Sequence, residues 1–85
     1  MSNNNAPFPG DNKKAISFAD KVLEMEPKNI KALYRRASAY KALKDYPTAL
    51  KDLKLTLELD SENKAAKQLM EEVGFNFYWI GKLPN

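Results

Sequence analysis

Lys31 and Arg35 stand four residues apart, with Arg36 directly beside the second, in the stretch NIKALYRRASAY at residues 29–40. On a helix the first two are surface neighbours, and like charges at that spacing repel mildly. A lysine point charge beside an arginine fork can hold carboxylates by charge-assisted hydrogen bonds, so the chemistry open to this pair is anion capture. Catalysis is a poor fit. The 85 residues include no histidine and no cysteine, which removes the usual nucleophile and base pairings and the common zinc ligand sets. The expectation is a chain with no catalytic residue, no cofactor and no metal.

The elements that must position these cations are helices. Apolar residues recur at a 3.6-residue period, and helices are predicted at about 11–26, 29–43, 47–59 and 62–73. Leu33, Tyr40 and Leu43 fall on one side of the second, Ala49, Leu53 and Leu57 on one side of the third, and Ala66, Leu69, Met70 and Val73 on one side of the fourth. Pro27 ends the first helix, and Lys44-Asp45-Tyr46 turns the second into the third. Pro47 falls in that third helix's first turn, where its missing N–H costs nothing. Ser61 is the predicted N-cap of the last helix and Gly74 its closing residue. At 100° per residue Lys31, Tyr34, Arg35, Ser38, Lys41 and Ala42 gather on one side of the second helix, opposite Leu33, Tyr40 and Leu43. Arg36 points toward the core side, where its stem can pack while the guanidinium reaches solvent or Asp52, and is assigned to structure.

With 44% hydrophobic residues, the chain can make one small domain that buries roughly 60% of its unfolded surface. Fourteen basic against 11 acidic residues give +3, a mild bias toward anionic partners that falls far short of a nucleic-acid binder's basic stripe. The opening MSNNNAPFPG lacks the basic start and apolar run of a signal peptide and reads as a flexible or vector-derived segment over residues 1–10. No stretch approaches 18 apolar residues, so no membrane insertion is expected. Together with the absence of cysteine, this suits a cytoplasmic protein.

LEMEPKN at 23–29 and LELDSEN at 57–63 match in pattern 34 residues apart, and Ala15 with Ala49 extends the register. Leu33, Ala37, Tyr40, Ala49 and Leu53 fall in the slots of the pattern W-x2-L-G-x2-Y…A-x3-F. These residues resemble the tetratricopeptide repeat family. The resemblance implies an all-α helix-turn-helix solenoid over residues 11–73, with a half repeat, one complete repeat at 30–63 and a capping helix. Arg36, Ala19, Thr56 and Ser61 depart from the residues the family prefers in their slots. The first helix resembles the second helix of a repeat, so its seam of Ala15, Phe18, Ala19 and Val22 lacks a partner. The chain therefore reads as the end of a longer array, or as one completed by a second copy in a helix-swapped homodimer.

In this family the first helix of each repeat lines a concave groove where ligands lie. K-A-L-Y-R at 31–35 is similar to the K-x-x-x-R pattern in the third repeat of chaperone-binding members, where such residues belong to a carboxylate clamp. That resemblance implies a co-chaperone module gripping the acidic C-terminal peptide, Glu-Glu-Val-Asp, of heat-shock chaperones of the 70 and 90 kDa classes. Lys31 and Arg35 would hold the carboxylates, with Ser38 and Tyr34 lining the peptide. LYRRASAYKAL is also similar to repeats of immunophilin, mitochondrial-import and sperm-associated-antigen co-chaperones. Two alternatives stand beside this reading: a structural self-association element, and the accessory end of a larger isomerase or phosphatase. GFNFYWIGKLPN at 74–85 reads as an aromatic extension that folds back over the open seam or onto a second copy.

Overall fold

The computed structural model describes residues 11–82, except for the side chains of Trp79 and Ile80; the segment 1–10 and the end of the aromatic extension, 83–85, lie outside the described residues. Four helices succeed one another: α1 (Asn12–Met25), α2 (Ile30–Ala42), α3 (Tyr46–Leu59) and α4 (Lys64–Lys82). Among the described residues there is no strand. Each helix packs on the next, and α2 also touches α4, so the two lie within reach of each other on one side of the stack.

The 34-residue period is visible as two turns of matching chemistry. Glu26 N–H donates to Val22 O and Asp60 N–H to Thr56 O, at 2.7 and 2.8 Å, ending α1 and α3 in closely similar backbone conformations. Asn29 and Asn63 then cap α2 and α4: each side-chain oxygen accepts from the backbone N–H three residues on, Ala32 and Ala66, at 2.9 Å. The cap of α4 is thus Asn63 and not Ser61, because Asp60, Ser61 and Glu62 are used up in making the turn. Asn63→Ala is expected to lower stability by about 1 kcal/mol, and Asn63→Asp to retain most of it, as measured by urea unfolding.

The α2–α3 turn is closed differently. Lys44 adopts φ 66°, its N–H donates to Lys41 O, and Asp45 N–H reaches back to Tyr40 O at 2.9 Å. This is the left-handed closure usually given to glycine, here made by a lysine at a cost of about 1–2 kcal/mol. The Asp45 carboxylate then accepts from Thr48 N–H, with Pro47 in the first turn as expected.

Small residues let the helices approach closely. Ala37 on α2, Ala49 on α3 and Ala66 on α4 are fully buried around Leu53 and Val73, with Tyr46 and Leu69 closing the cluster. Thr56 is buried too, its hydroxyl satisfied by donating to Asp52 O at 2.8 Å. Leu43, expected on the apolar side of α2, is 43% exposed, because it stands at the helix end where the chain has already turned away.

Two further expectations are corrected. Gly74 does not close the last helix: α4 runs through it for 19 residues to Lys82. A helical glycine costs about 1 kcal/mol against alanine, an amount that packing beyond it can offset. Phe77 supplies such packing, its ring 6.3 Å from that of Tyr46 at the start of α3. Nor does the aromatic segment, over its described residues 74–82, fold back across α1. It extends α4, which packs on α3 and α2, while Phe18 on α1 stays 69% exposed and Met25 79% exposed.

Candidate functional site

Helix α2 lies between α1 and α3, and Arg36 ties it to both. Its Nε and Nη2 donate to the two oxygens of Asp52 on α3 at 2.8 and 2.9 Å, while Nη1 donates to Asp20 on α1 at 2.8 Å. The Asp52 hydrogen bond is the strongest influence raising the guanidinium's pKa above arginine's ordinary value; partial burial opposes it and Asp20 adds to it. Helical spacing predicts Asp52 as a partner but not Asp20, whose approach depends on how α1 packs. This network belongs to the frame, and it fixes the rotation of α2 about its own axis.

With α2 so rotated, Lys31 and Arg35 are exposed, whereas Tyr34 and Ser38 are half-buried and Tyr34 packs against the core cluster. One helical turn, about 6 Å, separates the two cations along the axis. Neither forms an ion pair among the described residues, whereas the two other basic residues in the helix's later part, Arg36 and Lys41, are both paired. Lys31 also stands in the first turn, where the positive end of the helix dipole favours an anion and disfavours a bare cation. The structure therefore brings all four expected residues onto one side of α2 and leaves its two cations without an ion pair among the described residues.

Further along the same helix, Lys41 Nζ donates to Glu72 Oε1 on α4 at 3.1 Å. A shallow, open depression lies at this junction, lined by Lys41, Glu71, Glu72, Phe75 and Asn76. Of these, sequence alone places only Lys41 on the groove side. The α4 residues escape such a reading because Gly74 suggests a helix end that the structure does not have. Among the described residues there is no group of histidine, cysteine and acidic side chains suited to a metal, and no helix is long and apolar enough to cross a membrane.

A succession of helices, each packed on the next with small residues buried between them, defines a helical-repeat interaction module. A tetratricopeptide repeat family model matches residues 9–73, and the chain belongs to that family of protein-interaction domains. It is 48% identical over 59 residues to the FK506-binding protein-like protein of Rattus norvegicus, covering 69% of this chain and 17% of that protein. To sperm-associated antigen 1 of the same species it is 42% identical over 59 residues, 69% of this chain and 7% of the relative. Mitochondrial import receptor subunit TOM34 of Homo sapiens is 38% identical over 84 residues, 89% of this chain and 26% of the relative. The chain thus spans about a quarter or less of each of these relatives.

Proposed function

We propose that this chain is an adaptor module of co-chaperone type that binds acidic C-terminal peptides, those of heat-shock chaperones of the 70 and 90 kDa classes, through a partial carboxylate clamp. Lys31 and Arg35 grip the terminal carboxylates, Ser38 offers a hydroxyl and Tyr34 an aromatic wall. The observation that carries this is the contrast within one helix: Arg36 and Lys41 have carboxylate partners, while the two groove cations have none among the described residues. A terminal aspartate brings two carboxylates and relieves the repulsion between them. The cytoplasm is the compartment this reading implies.

The test is an amide NMR titration with a peptide ending Glu-Glu-Val-Asp, first as the free acid and then amidated. The free acid is expected to shift Lys31, Arg35 and Ser38, and amidation or Lys31→Ala to weaken binding about tenfold, equivalent to roughly 1.4 kcal/mol. Identical titrations of acid and amide would sink the clamp. A second reading, homodimerisation, is favoured by the exposed Phe18 and Met25 on α1, the side on which a further helix of an array would stack. Silence toward both peptides combined with a dimer mass by light scattering would transfer the function to self-assembly. Membership of a larger isomerase or phosphatase would leave the role of this groove unchanged.

A further inference from the structure

Helix α4 carries an ordered stripe on the side turned away from its buried residues. Glu71, Phe75, Tyr78 and Lys82 follow one another at intervals of four, three and four residues, the spacing of a coiled-coil seam. At about 100° per residue they fall within about 60° of one another, opposite the buried Ala66, Leu69 and Val73. All four are exposed, Phe75 by 62% and Tyr78 by 57%, and two neighbouring open rings make a patch that gains from being covered. Gly74 and Gly81 lie seven apart along one border of the stripe, with open space where a Cβ would stand, so no side chain obstructs an approach there.

The order of the four residues selects the occupant. Along the helix they read acid, aromatic, aromatic, base, and the outer and inner pairs share one midpoint, between Asn76 and Phe77. A second copy of α4 laid antiparallel across that point sets Glu71 of each chain against Lys82 of the other, and Phe75 of each against Tyr78 of the other. Two-fold symmetry requires this self-complementarity, one residue meeting a second while the second meets the first. In the parallel sense Glu71 meets Glu71 and Lys82 meets Lys82, so like charges reject it. Both charges are in position. Glu71 forms no ion pair among the described residues, and Lys82 Nζ lies 5.2 Å from the centre of the Tyr78 ring, on the stripe itself.

The geometry points to a reversible antiparallel homodimer formed through this α4 stripe, with two Glu71–Lys82 pairs flanking two Phe75–Tyr78 contacts. From Glu71 to Lys82 the stripe runs about 16 Å, and a contact of that length falls short of the roughly 1,200 Å² at which permanent interfaces begin, so the copies exchange. Phe18 and Met25 on α1 take no part in it, nor do Lys31 and Arg35 on α2. The dimer therefore stands or falls independently of peptide binding and of stacking on α1.

Sedimentation equilibrium of the full chain from about 10 µM to about 1 mM tests it, the wild-type mass rising toward that of a dimer. Glu71→Lys and Lys82→Glu, each alone, are expected to weaken self-association at least about tenfold, because each sets like charges opposite one another at both ends of the contact. Mixed one to one, the two variants should pair again, since every contact between a Glu71→Lys chain and a Lys82→Glu chain joins opposite charges. Unchanged urea midpoints verify that both variants fold, and Phe75→Ser, which leaves the charges in place, is expected to weaken the dimer as well. A wild-type mass that stays monomeric throughout overturns the proposal. So does self-association that the single charge variants leave intact or that their mixture fails to restore. A dimer lost in Phe18→Asp but kept in both charge variants moves the contact to α1 and likewise overturns it.

Discussion

Replacing Arg36 by alanine is expected to remove about 3–4 kcal/mol of stability, enough to leave a domain of this size largely unfolded at 37 °C. The cause is the group left behind. The side chain of Asp52 is only 6% exposed, and without the guanidinium its carboxylate would stay buried with no opposite charge. Asp20, at 47% exposure, can turn to water and contributes little to the loss. Arg36→Lys should recover only part of it, since an ammonium cannot span both oxygens of Asp52 and Asp20 with a planar fork. The decisive comparison is Arg36→Met combined with Asp52→Leu. If the penalty comes from the orphaned carboxylate, the double variant will be more stable in urea than Arg36→Ala alone. Raising the pH offers no shortcut, because a guanidinium whose pKa lies above its ordinary value keeps its contribution below that ordinary value and loses it only as pH rises through the higher one.

Leu53→Ala is the other large effect, at about 3–4 kcal/mol. Leu53 is fully buried on α3, and the buried cluster around it includes Ala37, Ala49 and Ala66. Alanines have no rotamers with which to fill a void, so little collapse is available. Leu53→Met should cost under about 1.5 kcal/mol, since it conserves volume. Urea unfolding would separate the two variants by midpoint at constant slope. A loss under about 1 kcal/mol for Leu53→Ala would mean that the helices slide together more freely than close packing at Ala37 and Ala49 implies.

Legible in the sequence is whatever local chemistry and spacing decide. The 34-residue register, the repeat slots of Leu33, Ala37, Ala49 and Leu53, the first-turn position of Pro47 and the side of α2 holding Lys31 and Arg35 need only the chain's own period. What spacing misses depends mostly on contact between residues distant in sequence, with one local exception at Ser61. Gly74 is a conventional helix terminator by type, yet Phe77 meets Tyr46 at the start of α3 and the helix continues past the glycine. Ser61 is as good a cap by type as Asn63, but the turn after Asp60 brings only the asparagine to the amide of Ala66. Lys41 falls on the correct face from its spacing, although its pairing with Glu72 and the depression beside it require knowing where α4 runs.

Arrays of stacked helix pairs commonly come apart one unit at a time, since each unit touches only its neighbours. The three-way contact of Arg36 sets an order of opening here. Peeling α1 away frees only Nη1 from the half-exposed Asp20, whereas loosening α3 breaks both bonds to the buried Asp52. A single side chain in the middle helix thereby holds its two neighbours unequally, and fraying is expected to begin at α1 while α2 and α3 stay joined.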